Sequence, residues 1–279
     1  MTLLLRLLGV LPTVLVGASS ASAHYNMLLP DKHSVKKGEE VTFTYQWGHP
    51  YEHQLFDAPK PESAYVLSPD GKKTDLTKAV EKATAAAGEN KEITVYRFRF
   101  KPSERGDYVF VLQAPRIWME EEGEFLQDRV QVVLHVQTQH GWDGTLEDNG
   151  LELTPLTRPY GLQPGMVFQA QAFYRTKNPV GDPNKKGAHV DNPSGVLAKA
   201  LVEIERYNAA PPKDLPPDEL VTRAAKTDPN GVVTCTLSEP GWWCIAVQQL
   251  GIFSSDGQDK RLRQRAILWV FVDDKPTAK

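Results

Sequence analysis

The sequence predicts an all-β protein, built as two β-sandwiches in tandem with little helix. Three observations carry this reading. Apolar and polar residues alternate with a period of two over many short stretches, as in Val41, Phe43, Tyr45 and Trp47 against Thr42, Thr44 and Gln46. The 279 residues are punctuated by 21 prolines and 20 glycines, which suits short strands joined by turns. In the first half helical character is confined to one segment. With 41% hydrophobic and 24% charged residues the chain can fill real cores, which excludes wholesale disorder.

The elements follow in order. Residues 41–47 read as a half-buried strand. Residues 64–67 form a second, leading into the turn Ser68-Pro69-Asp70-Gly71. Residues 77–87, TKAVEKATAAA, read as a helix that Gly88 ends. Residues 92–100, 108–112 and 130–136 alternate again, so the first block is an immunoglobulin-like antiparallel sandwich. Gly141-Trp142-Asp143-Gly144-Thr145 marks a boundary, dividing the chain into 24–143 and 144–279. In the second block the strands are 151–156, 166–174, 200–207, 231–237, 242–248 and 265–272, with polar or Pro-rich loops at 176–195 and 209–218. A turn centred between Glu239 and Pro240 would make 234–237 and 242–244 a hairpin that sets Cys235 opposite Cys244, and a disulfide between them is expected.

The front of the chain reads as an address. Residues 3–16 are almost entirely apolar and are followed by small residues ending Ala21-Ser22-Ala23, so residues 1–23 are expected to be a signal peptide cleaved after Ala23. The apolar stretch is short for a membrane span and holds Pro12; an uncleaved anchor is the alternative. No other segment is apolar enough to cross a bilayer. The expected location is the periplasm or the exterior. Net charge is −3, so nothing global attracts nucleic acid.

Cleavage after Ala23 would make His24 the first residue, whose α-amine and imidazole can chelate one metal ion together. Gly48-His49-Pro50-Tyr51-Glu52-His53 is the densest further segment, placed at the end of a strand where sites are commonly built. His24, His49 and His53, with Glu52 as ligand or orienter, form the candidate metal site. An amine with imidazoles is a nitrogen-rich set that suits Ni(II), Co(II), Cu(II) or Zn(II) rather than Mg or Ca. His135, alternating along an apolar strand, reads as a hydrogen-bonded strand histidine. No G-x-S-x-G, H-E-x-x-H or phosphate-loop pattern is present, and no catalytic residue is assigned.

Thr227-Asp228-Pro229-Asn230-Gly231 followed by Pro240-Gly241-Trp242-Trp243 resembles the carboxypeptidase-regulatory or transthyretin-like sandwich, so the second block is expected to be transthyretin-like. These pieces, with His24, Gly48-His49-Pro50-Tyr51-Glu52, Gly141-Trp142-Asp143 and the strand 200–207, resemble one bacterial family of exported domains of unknown biochemical function, at times described as a periplasmic nickel/cobalt-uptake component. The resemblance implies a metal-capture or delivery protein for nickel or cobalt, with the membrane component of an importer as partner. A copper site of the histidine-brace type doing oxidative chemistry, and a plain interaction or adhesion module, stay open beside it.

Overall fold

The computed structural model describes residues 24–87, 91–146, 149–175, 195–255 and 258–274. The expected signal peptide, Gly88, and His189 with most of the loop 176–195 lie outside the described residues. The strands are β1 (Tyr25–Pro30), β2 (Ser34–Val35), β3 (Val41–His49), β4 (Gln54–Phe56), β5 (Ser63–Leu67), β6 (Lys73–Asp75), β7 (Glu81–Ala86), β8 (Glu92–Phe100), β9 (Gly106–Gln113), β10 (Ile117–Met119) and β11 (Glu124–Val136) in the first half. The second half adds β12 (Gly150–Pro155), β13 (Met166–Arg175), β14 (Gly195–Val196), β15 (Leu201–Arg206), β16 (Arg223–Lys226), β17 (Val232–Leu237), β18 (Gly241–Ser255) and β19 (Gln258–Val272), and one helical turn, α1 (Asp218–Val221). The chain is all-β, as the alternation predicts.

Three sheets stack in layers. The first runs β1-β3-β8-β7, with β4 on the end of β3. The middle one has ten strands in the order β16-β15-β18-β19-β11-β9-β5-β6, with β2 and β10 also on β11. The third runs β12-β13-β14, with β17 on β13. Phe43, Tyr45, Phe98 and Phe110 help fill the core between the first and middle sheets. Phe168, Leu153, Ile204 and Val233 help fill the core between the middle and third sheets. Strands β18 and β19 serve both: Cys244, Ala246, Ile267 and Trp269 face the first core, while Trp243, Ile245, Val247, Leu268 and Val270 face the second. A strand covered on both faces reads as a near-continuous apolar run, which is why residues 266–272 are A-I-L-W-V-F-V.

The expected boundary at 143/144 lies in the connector between β11 and β12. The chain on its two sides meets again in the middle sheet, where β19 runs parallel to β11 from Phe125↔Leu262 to Val132↔Trp269.

Two local expectations are corrected. Residues 77–87 are not a helix: a short 3-10 turn, Thr77–Ala79, leads into β7, which pairs with β8 from Glu81↔Arg97 to Ala86↔Glu92. Helix propensity yields there to ladder hydrogen bonds on an open sheet edge. The Cys235–Cys244 disulfide is absent, and both residues are free thiols. Strands β17 and β18 are consecutive but do not form a hairpin. The chain crosses between layers at Glu239-Pro240, so Cys235 pairs with Phe168 in the third sheet and Cys244 lies between Glu205 and Trp269 in the middle one.

The Thr227–Gly231 motif is a structural turn. Asp228 Oδ1 accepts from the N–H groups of Asn230 and Val232, both at 2.8 Å, and Gly231 takes φ +75°. His135 is the hydrogen-bonded strand histidine expected: its Nδ1 lies 2.7 Å from Oδ1 of the fully buried Asp107, whose Oδ2 accepts from the Tyr160 hydroxyl at 2.8 Å.

Candidate metal centre

Strand β1 pairs antiparallel with β3 in a register that sets Tyr25 opposite Gly48. His24, one residue before that pair, therefore comes beside His49, one residue after it. Their ring centroids are 4.4 Å apart at 67°, edge to face. The His24 ring also stacks on Trp47 at 5.2 Å and leans on Phe56 at 5.2 Å. Gly48 makes this possible. It has φ +150°, and a Cβ there would lie 2.1 Å from the Gln54 carbonyl oxygen, because β4 folds back tightly against β3.

His49 is half-buried, and burial lowers its pKa below the ordinary histidine value, opposed by the nearby Glu52 carboxylate. It is thereby held neutral, the form that binds a metal. Glu52 Oε2 is 3.9 Å from His49 Nδ1, too long for a hydrogen bond, and is buried with no hydrogen-bond donor among the described residues. Glu52 is thus at hand for an ion beside His49.

His53 goes elsewhere. Its Nδ1 is 2.8 Å from the Asn208 carbonyl oxygen. That oxygen can only accept, so Nδ1 carries the proton and donates. The ring packs against Tyr207, 5.8 Å away, and no ring contact links it to His24 or His49. Its backbone is left-handed, at φ +53°. His53 thus fastens the loop to the second half of the chain. Asn208 reinforces it, its N–H donating to the Pro50 carbonyl at 3.0 Å and its side-chain amide to the Tyr51 carbonyl at 2.6 Å. Glu205 adds a further tie, its Oε1 accepting from the Tyr51 N–H at 3.0 Å and its Oε2 from the Thr222 hydroxyl at 2.7 Å. Burial pushes the Glu205 carboxyl up to about 7 against those two hydrogen bonds, with the Glu52 and Glu203 charges adding to the rise.

Of the four residues singled out from sequence, the structure brings His24 and His49 together, sets Glu52 at their edge and directs His53 away. No group of three or more His, Cys, Asp or Glu side chains gathers to hold a metal among the described residues. A third donor beside His24 and His49 is then not a His, Cys, Asp or Glu side chain, and the main-chain nitrogen of His24 could supply one if cleavage after Ala23 turned it into an amine. Sequence reasoning missed the aromatic frame of Trp47 and Phe56. It also missed the ties from Glu205 and Asn208, for which residues so distant along the chain give no local signal.

Fold and site define a layered all-β protein with a paired-histidine site where its first strand begins. The chain belongs to the family of the domain of unknown function DUF4198, whose model matches residues 21–251. No curated protein matches it in sequence. Among solved structures it is similar to a Salmonella alpha-2-macroglobulin variant, at 15% identity and TM-score 0.23, covering 91% of this chain and 15% of that one. Escherichia coli alpha-2-macroglobulin activated by porcine elastase gives 14% and 0.24, covering 90% and 20%. The Yersinia pseudotuberculosis adhesin InvE gives 10% and 0.19, covering 86% and 58%. The chain spans a fifth or less of the length of the two macroglobulins. Among the described residues no helix is long and apolar enough to cross a membrane.

Proposed function

We propose that this is an exported metal-binding protein that captures or delivers one divalent transition metal, nickel or cobalt, through the amine and imidazole of a processed His24 and the imidazole of His49. In this reading Glu52 orients His49 or completes the ligand set, and the cargo passes to the membrane component of a nickel/cobalt importer. The observation that carries the proposal is the 4.4 Å spacing of the two rings. With metal–nitrogen bonds of about 2.0–2.1 Å, two imidazoles on adjacent positions of one ion have centroids roughly 4.5 Å apart, and on opposite positions roughly 6.4 Å. The rings thus stand close to the spacing for adjacent positions. Three nitrogen donors suit Ni(II), Co(II) and Cu(II), and copper has the highest intrinsic affinity of the three. The same donor set supports a second reading, a copper histidine brace. Placing its two imidazoles opposite each other would require them to part by about 2 Å.

Titration calorimetry at pH 7 tests the proposal. Protein beginning at His24 is compared with protein carrying one added Met before it. The extension converts the amine to an amide, and nickel or cobalt affinity is expected to fall at least tenfold, and to fall again with His49→Ala. Equal affinity in both forms would refute the N-terminal chelate.

A further inference from the structure

We propose that Arg265, held by Asp128, is a positioning residue for the His24 site, so that the last strand of the protein sets the chain's first ligand. This rests on the functional reading above as far as metal binding is concerned. The geometry stands without it. Arg265 lies in β19, beyond the residues the family model matches, and is 4% exposed. Burial works against its charge, but the Asp128 carboxylate, helped by Tyr25 and Glu203, holds its pKa raised. The pair is bidentate: Nε donates to Asp128 Oδ1 at 2.8 Å and Nη2 to Oδ2 at 2.7 Å. Nη2 also donates to the main-chain carbonyl of His24.

The contacts continue into the next two residues. The guanidinium lies over the Tyr25 ring, 4.8 Å from its centroid. Asp128 Oδ2 accepts from the Asn26 side chain at 2.7 Å, and the Asn26 carbonyl accepts from Trp269 Nε1 at 3.2 Å. Residues 24, 25 and 26 are therefore each touched by this pair or by its neighbour on β19. The first ladder pair of β1 is Tyr25↔Gly48, so His24 stands one residue outside the strand pairing. Arg265 fixes the His24 carbonyl, and with it the peptide plane that places the Cα from which the residue's nitrogen and ring project. A buried ion pair is a weak source of stability, and well-packed apolar residues commonly replace one at no cost. A role in position accounts for this pair better.

The test replaces both partners together, Arg265→Met with Asp128→Leu, leaving no lone buried charge. Two readouts are taken on protein beginning at His24 and on the Met-extended form. Proton NMR of the metal-free protein reports the proximity of the His24 ring to the rings of Trp47 and His49. Calorimetry reports nickel affinity. The fold is expected to persist by circular dichroism, while the His24 ring swings away from Trp47 and His49 and its cross-peaks to them vanish. Nickel affinity should fall about 10–100-fold for the form beginning at His24, the usual effect of removing a residue that orients a metal ligand. It should change little for the Met-extended form. Cross-peaks that persist between these rings would overturn the proposal, and so would an equal drop in affinity in both forms. Should the double variant not fold, Arg265→Lys serves instead. It keeps the charge but cannot bridge carboxylate and carbonyl in one plane, and the same effects are expected in smaller measure. If wild-type protein beginning at His24 binds no nickel, cobalt or copper, the functional reading fails, while the ring cross-peaks still decide the role of Arg265.

Discussion

Replacing Glu205 with Gln is expected to change how the stability of this protein depends on pH. Glu205 is 1% exposed, and burial pushes its carboxyl up to about 7, from an ordinary value of 4.5. The negative charges of Glu52 and Glu203 add to the rise, while the Tyr51 N–H and the Thr222 hydroxyl oppose it. Between those two values the native protein holds a proton that the unfolded chain has released. Stability therefore falls as pH rises through that window. A displacement of roughly 2–3 pH units, at about 1.4 kcal/mol each, puts the loss at about 3 kcal/mol, complete above pH ~7.5. Gln carries no proton to lose. It keeps one oxygen for the Tyr51 N–H or the Thr222 hydroxyl and gives up the other, at a cost of about 1 kcal/mol. Urea unfolding at pH 4.5, 6, 7 and 8 should show wild type the more stable at the lowest pH and Glu205→Gln the more stable at the highest, with the curves crossing between. Curves that run parallel across this range would refute the assignment of a buried, proton-holding carboxyl at this position.

Three further outcomes are expected. Gly48→Ala should cost about 2–5 kcal/mol, because a Cβ 2.1 Å from the Gln54 carbonyl must displace β4 and the residue must hold φ +150°; urea unfolding and the Trp47 fluorescence check it, and an unchanged midpoint contradicts it. Thiol titration should find two reactive cysteines after denaturation, with slow reaction in the folded state, since burial raises both pKa values, Cys235 to about 11 and Cys244 well above its ordinary value; no free thiol in unreduced, denatured protein would restore the disulfide. The His49 ring should titrate below the ordinary ~6.5. The stability that comes from keeping it neutral is then full above pH ~6.5 and is lost as pH falls through its lowered value. His49→Gln should flatten that acid limb, and NMR of the ring protons reads the shift directly.

The all-β class was legible because alternation is local: residues 41–47, 92–100 and 130–136 each declare a two-residue period whatever they pair with. The segment 77–87 shows the limit of that signal. Its alanines satisfy a helix and an edge strand equally, and the choice is made by β8, whose Val95 and Ile93 stand opposite Ala83 and Ala85. Two sandwich cores were legible, but that they share strands β18 and β19 was not. The run from Ala266 to Val272 is apolar on both faces, which marks a strand shared by two cores. The cysteine pairing failed for the same reason: a tight turn between consecutive strands implies a hairpin in one sheet, whereas Glu239-Pro240 carries the chain from one layer to the next.

The site divides along a similar line. His24 and His49 could be singled out from residue type, a cleavage pattern and the loop after Trp47, but their meeting depends on the register of β1 on β3, which no short stretch specifies. His53 looks equivalent to His49 in sequence, four residues away in the same loop. A carbonyl of Asn208, 155 residues further on, accepts a hydrogen bond from its Nδ1 and makes it a tether. Arg265 and Asp128 look like two ordinary charges in strands, 137 residues apart. They are buried because the parallel pairing of β11 with β19 sets them side by side as Asp128↔Arg265. A charge in a strand declares its partner only through the register of the sheet. The part of the candidate centre written in local sequence is therefore its ligand types. The part that aims them, including the hold of the last strand on the first, belongs to the tertiary structure.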